Sequence, residues 1–219
     1  MHSSIKNYED IIRLIKSKLE GKTITKFPKI IAVSKTFGLD NILPLVEYGH
    51  LDFGENKVQE AIDKWTETKI KYPQINLHLI GKLQSNKVKF AIKIFDYIHS
   101  VDSIKLAKKI SDEQIKQNKR VKIFIQVNIG SEEQKSGVEI HEIVELLNFC
   151  NKLNLDVIGL MCIPPLNQKS GEYFKKINSL NKSFNLQEIS MGMSSDYLEA
   201  IENDATYLRI GSSIFGNRY

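Results

Sequence analysis

Val121-Lys-Ile-Phe-Ile-Gln-Val127 is almost continuously apolar and rich in β-branched residues. A strand with one wet face alternates apolar and polar side chains. A run without that alternation belongs to a strand covered on both faces, as in an all-parallel sheet. Similar short runs recur at Ile30–Val33, Leu51–Phe53, Leu77–Ile80, Tyr97–Val101, Val157–Met161, Leu186–Ser190 and Tyr207–Ile210. Between them helical patterns fall near 39–48, 55–69, 85–94, 103–117, 139–152, 170–183 and 195–203. Eight strands alternating with helices predict a parallel sheet. No Gly-x-Gly-x-x-Gly turn follows the first run, which favours a closed (β/α)8 TIM-type barrel over an open doubly wound sheet.

Ahead of the first run, Ile5, Tyr8, Ile12, Ile15 and Leu19 are spaced by three and four residues. This predicts an amphipathic helix stopped by Gly21. Only nine residues follow the eighth run, too few for a full last helix. The N-terminal helix, within residues 1–21, is therefore expected to cover the face that an eighth helix would cover. No linker or composition shift divides the chain, so residues 1–219 are expected to form one domain.

The 219 residues are 42% hydrophobic and 26% charged, with a net charge of +5 and a pI near 9.0. The lysines are interspersed with acids and form no basic stripe, which argues against nucleic-acid binding. A mildly basic chain also suits a phosphorylated small ligand. Cys150 and Cys162 lie in apolar stretches and read as buried thiols of a reducing compartment. There is no signal pattern, and no apolar run approaches the roughly 18 residues of a membrane span. A cytoplasmic protein without membrane contact is expected. No apolar stripe beyond the barrel helices is evident, so a monomer is expected.

In such a barrel the site lies at the C-terminal ends of the strands. Lys35 ends the first strand in Ile-Ile-Ala-Val-Ser-Lys. Read alone, it is most simply a solvated rim residue. The alternative is a Schiff-base nucleophile. An amine of pKa near about 10.4 must be lowered by burial or a nearby cation before it can attack a carbonyl. Ser190-Met-Gly-Met-Ser-Ser-Asp196 and Arg209-Ile-Gly-Ser-Ser-Ile-Phe-Gly216 follow the seventh and eighth strands. Glycines there let the backbone approach an anion, and free N–H groups at a helix start favour a phosphate. Ser194 and Ser212 add hydroxyls. Ser194 or Ser195 could equally cap the following helix. Strands eight and one become neighbours on closure, which places both loops beside Lys35.

Glu55 and Glu60 read as ordinary helix carboxylates, Asn56 as a residue able to point across the mouth, and His78 as a satisfied core or rim histidine. The five histidines show no metal spacing, so no metal site is expected. No Ser-His-Asp signature or nucleophile elbow is present.

Together these segments resemble the pyridoxal phosphate homeostasis protein family, the YggS/PROSC family. The resemblance rests on Ala-Val-Ser-Lys35, Phe-Gly-Glu-Asn56 with Val-Gln-Glu60, His78-x-Ile-Gly-x-Leu-Gln-x-Asn-Lys87, Gln126-Val-Asn128 and Lys135-Ser-Gly137. It continues through Gly159-Leu-Met161 with Ile-Pro-Pro165, Met191-Gly-Met-Ser194 with Asp196, and Arg209-Ile-Gly211 with Ile-Phe-Gly216. It implies a barrel related to the N-terminal domain of alanine racemases, carrying pyridoxal 5′-phosphate (PLP) as a Schiff base on Lys35. It places Arg209 near the pyridine nitrogen and the phosphate on Ser194, Gly211 and Ser212. Gly192 would help that close approach, and Asn56 would make a further contact. Lys82 and Cys162 occupy variable positions of the matching motifs.

The family's racemase relatives add a second domain that supplies a tyrosine acid/base, and no residues remain here to build one. The expectation is a PLP carrier without catalytic residues, serving vitamin B6 balance and passing PLP to apo PLP-dependent enzymes. A PLP-dependent racemase is the alternative. A PLP-free Schiff-base lyase on the same fold is the third reading.

Overall fold

Lys29 stands opposite Tyr207, and Ile31 opposite Arg209, where the first strand meets the last. That pairing closes eight parallel strands, in chain order, into a barrel. The computed structural model describes residues 2–21, 27–132, 134–166 and 168–216. Met1 and residues 217–219, which the expected domain bounds include, lie outside the described residues.

The chain begins with helix α1 (Ser3–Leu19), strand β1 (Lys29–Val33), α2 (Leu39–Glu47), β2 (Asp52–Glu55) and α3 (Val58–Lys71). It continues with β3 (Asn76–Leu79), α4 (Val88–Ile94), β4 (Tyr97–Val101), α5 (Ile104–Gln117) and β5 (Lys122–Val127). Then come α6 (Ile143–Lys152), β6 (Asp156–Cys162), α7 (Ser170–Ser183), β7 (Glu188–Met193), α8 (Tyr197–Glu202), β8 (Tyr207–Ile210) and the four-residue α9 (Ser212–Phe215). Every residue of β5 after Lys122 is buried, as its apolar run requires. Local chemistry sets the helix ends. On α5, Ser103 accepts from the Leu106 N–H at 3.4 Å, and Asn118 stops the helix in the left-handed region.

Alternate strand residues point to opposite faces. Ile31, Val33, Tyr97, Phe124, Met161 and Tyr207 form an apolar cluster inside the barrel. A larger core, containing Phe53, Trp65, Phe95 and Phe174, lies between barrel and helices. Helix α1 packs against α2, α8 and α9 and so fills the sector beside the short last helix, as its surplus apolar face implied. Tyr8 on α1 meets the buried His50, with its hydroxyl 3.0 Å from Nδ1.

Two boundaries differ from the sequence reading. Glu55 is not a helix residue. It ends β2 and is fully buried, and α3 starts only at Val58. Strand β7 continues past Ser190 to Met193 through an irregularity at the β8 pairing. Gly192 lies there at φ +85°, and a Cβ at that position would come 2.6 Å from the Ala200 Cβ of α8. Only glycine combines that backbone conformation with so close a helix.

Candidate functional site

The C-terminal ends of the strands enclose a cavity of about 1070 Å³. Lys35, Asn56, Ser194, Arg209, Gly211 and Ser212 all line it. Gly192 does not. It is buried behind the mouth, where it shapes the bend that delivers Met193 and Ser194 to the cavity.

The backbone that carries Lys35 is fixed on both sides. Before it, the Ser34 N–H pairs with the Gly54 carbonyl at 3.0 Å, and the Ser34 hydroxyl donates to Glu55 Oε1 at 2.7 Å. After it, Thr36 adopts φ +70°, and its N–H donates to Glu60 Oε1 at 2.5 Å. Lys64, from the second turn of α3, ties the two halves together. Its ammonium donates to the Ser34 carbonyl and Glu55 Oε1, each at 2.9 Å, and to Glu60 Oε1 at 3.1 Å. The Trp65 indole donates to Glu55 Oε1 at 2.9 Å. Burial alone would raise the Glu60 carboxyl, yet the Thr36 N–H and Lys64 hold it below its ordinary value. Glu55 and Glu60 are therefore not ordinary helix carboxylates. They hold the Lys35 segment in place.

Beyond the ends of β7 and β8, the Ser194 hydroxyl accepts from the backbone N–H groups of Gly211 and Ser213, both at 3.3 Å. The loops after β7 and β8 are thereby joined. Neither Ser194 nor Ser195 caps α8, contrary to the capping alternative. Asp196 occupies the N-cap position, and its carboxylate accepts from the Met193 N–H at 2.7 Å and the Ser170 hydroxyl at 3.0 Å. Gly211 is pressed against β1. A Cβ there would lie 3.3 Å from both the Cβ and the carbonyl oxygen of Val33.

Arg209 is 4% exposed and reaches the cavity from below. Its Nη1 donates to the Ser190 hydroxyl at 2.6 Å and its Nη2 to the Cys162 carbonyl at 2.8 Å. Burial lowers the guanidinium pKa from its ordinary value. Only the backbone of Cys162 is used in this contact. Burial pushes the Cys162 thiol itself up to about 12, so it stays protonated and inert at neutral pH.

The sequence pattern of the family described as alanine racemase, N-terminal domain, matches residues 8–218. A pyridoxal phosphate homeostasis protein of Vibrio alginolyticus is 38% identical over 202 residues, covering 87% of this chain and 86% of that protein. The chain belongs to the pyridoxal phosphate homeostasis protein family. PipY of Synechococcus elongatus PCC7942, whose structure was solved with PLP bound, superposes with a TM-score of 0.86 at 30% identity. The alignment covers 97% of this chain and all of PipY. An alanine racemase of Clostridium difficile shares the fold alone. Its TM-score is 0.69 at 18% identity, and 97% of this chain covers 57% of that enzyme.

In this member of the pyridoxal phosphate homeostasis protein family, the wall facing the serine loops was not assigned from sequence. It is built by Lys82, Gln126, Asn128, Lys135 and Ser136. Its polar groups are largely turned on one another. The Gln126 amide donates to the Ser136 carbonyl at 2.9 Å, and the Asn128 amide to Glu139 Oε1 at 2.8 Å. Lys135 donates to the Pro164 carbonyl at 3.1 Å and pairs with Glu132. Gly81 lets the β3 loop pass under Asn56, since a Cβ there would meet the Asn56 carbonyl oxygen at 2.4 Å. Lys87 lies outside the cavity lining, with its ammonium over the Phe90 ring.

Proposed function

We propose that this chain holds PLP as a Schiff base on Lys35 and serves intracellular PLP homeostasis as a carrier. One observation carries the reading. The Lys35 amine, the joined Ser194 and Gly211–Ser212 loops and the Arg209 guanidinium all open onto a single cavity. The likeness to PLP-bound PipY supports it.

The donor set suits this cofactor. Ser194, Gly211 and Ser212 offer hydroxyls and backbone N–H groups to a phosphate. Asn56 supplies a further polar contact from the β2 side. The deprotonated Lys35 amine condenses with the aldehyde carbon and releases one water, a bond that hydrolysis reverses. When bound, PLP supplies an electron sink. Arg209 only donates hydrogen bonds and keeps its proton. Facing the ring nitrogen, it would leave that nitrogen unprotonated and weaken the sink.

The same lining favours carrying over turnover. Proton transfer at a substrate carbon needs a positioned acid or base. Among the described residues lining the cavity there is no His, Tyr, Cys, Asp or Glu, and apart from Lys35 the acid/base side chains are Lys82 and Lys135, the latter engaged by the Pro164 carbonyl and Glu132. Apo forms of PLP-dependent enzymes are the recipients in this reading, and the carrier acts as a monomer in the cytoplasm.

Titration of purified protein with PLP, followed by dialysis and absorbance, tests the proposal. A retained visible band that Lys35→Ala abolishes is the expected result. An unchanged band in Lys35→Ala would overturn the assignment. Incubating the loaded protein with single L-amino acids tests turnover, and D-enantiomer formation well above that of free PLP would overturn the carrier reading.

A further inference from the structure

The barrel interior contains a continuous polar chain that the cavity does not explain. At one end, the Arg209 guanidinium donates to Ser190 Oγ at 2.6 Å. Ser190 Oγ is 2.9 Å from His99 Nδ1, and His99 Nε2 is 3.0 Å from His78 Nδ1. His78 Nε2 is 3.0 Å from Asp52 Oδ1. Asp52 opens β2 at the opposite, N-terminal end of the strands, with its side chain 16% exposed and Lys29 Nζ at 3.9 Å. Ser190, His78 and His99 are essentially inaccessible to solvent.

The two ends fix the direction of every link. An ionised carboxylate only accepts and a guanidinium only donates. Asp52 therefore takes the Nε2–H of His78, which leaves His78 Nδ1 as an acceptor. His99 must then donate through Nε2–H, and its Nδ1 accepts from the Ser190 hydroxyl. The Ser190 oxygen is left to accept from Arg209. No donor or acceptor along this path is wasted, and both histidines are neutral. Protonating His99 would give Ser190 Oγ a second donor, strand the hydroxyl proton and set a buried cation beside Arg209. Burial disfavours the charged form of each histidine in the same sense.

The ring planes are held as well. His78 stacks on Tyr97 with centroids 4.2 Å apart, and His99 stacks on Phe124 at 4.3 Å. Such barrels ordinarily fill this space with branched apolar side chains. Replacing a buried polar network by well-packed apolar residues is often neutral or stabilising. Stability alone thus gives little reason for the chain, whereas the direction it imposes on Arg209 does.

We infer that Ser190, His99 and His78 are positioning residues that fix the Arg209 guanidinium toward the bound cofactor ring, through a one-way hydrogen-bond chain anchored on Asp52. The inference rests on the reading of the cavity as a PLP site. With Ser190 and the Cys162 carbonyl each holding one guanidinium nitrogen, Arg209 cannot swing away from the ring nitrogen. Removing the middle of the chain releases one of those two holds.

The test begins on the ligand-free protein. Long-range ¹H–¹⁵N NMR at neutral pH should show His78 and His99 as neutral Nε2–H tautomers. An Nδ1–H tautomer or a doubly protonated ring at either position would overturn the chain. In PLP-loaded protein, Ser190→Ala should shift the visible band and speed PLP loss roughly tenfold, the scale of one hydrogen bond to a charged group. Ser190→Thr, which keeps the hydroxyl, should restore both. In an Arg209→Lys background, Ser190→Ala should add little, because both changes act on the same contact. A Ser190→Ala protein with the wild-type band and wild-type retention would overturn the inference. A wild-type protein that takes up no PLP would sink the reading of the site, while the tautomers still judge the chain independently.

Discussion

The Ser194 hydroxyl bridges the loops after β7 and β8 by accepting from the Gly211 N–H at 3.3 Å, with the Ser213 N–H at the same distance. In the proposed PLP site it would be both a structural link and a phosphate donor. Ser194→Ala should weaken PLP retention by roughly 1.5–3 kcal/mol, the worth of a hydrogen bond to a charged group. Loss of the visible band during dialysis measures it. Retention equal to wild type would remove Ser194 from the phosphate site.

Lys64 is the keystone of the Lys35 segment. Its side chain is 9% exposed, and its partner Glu55 is wholly buried. Lys64→Met leaves that carboxylate without its cation, which should cost roughly 3–5 kcal/mol in urea unfolding. The Lys64→Met/Glu55→Gln double variant should recover much of the loss, since the uncompensated charge is gone. Both variants should load PLP more slowly than wild type, because Ser34 and Thr36 are no longer tied together. A fully stable Lys64→Met protein would show that the ion pair is dispensable.

Acid should destabilise the fold before the carboxylates titrate. Burial lowers the His50 pKa from 6.5 to about 4, against the opposing pull of the Asp52 carbonyl and carboxylate. Below pH 6.5 the unfolded chain binds a proton that folded His50 refuses, so stability falls as pH drops toward about 4. The slope approaches 1.4 kcal/mol per pH unit for this one group, roughly. His78 and His99 are shifted in the same direction and steepen the trend. Urea midpoints at pH 7.5 and 5.0 measure it, and His50→Gln should flatten the difference. Equal midpoints for the wild type would contradict a neutral buried His50.

The barrel was legible because its strands are short apolar runs at regular spacing. Lys35, Ser194, Gly211 and Ser212 were legible because strand ends in such a barrel converge. What the sequence did not disclose depends on contacts between distant positions. Lys64 reads as a solvated lysine on a helix face, and only closure of β2 onto β1 brings it beneath Ser34. His78, His99 and Ser190 each alternate correctly for inward-facing residues. Yet His99 and Ser190 are 91 positions apart, and periodicity cannot say that they meet. Gly192 carries a phosphate-loop pattern, but its positive φ and its proximity to α8 give it the task of bending β7. Glu55 followed a short apolar run and read as the opening of α3. Its burial comes from Trp65 and Lys64 folding back over it.

The most direct test of the account is borohydride reduction of the PLP-loaded protein, followed by proteolysis and mass spectrometry. Lys35, Lys82 and Lys135 all line the cavity, so the measurement distinguishes among real alternatives. The account predicts a single stoichiometric phosphopyridoxyl adduct on the peptide containing Lys35. An adduct on Lys82 or Lys135 instead, or none on any of the three, would contradict it.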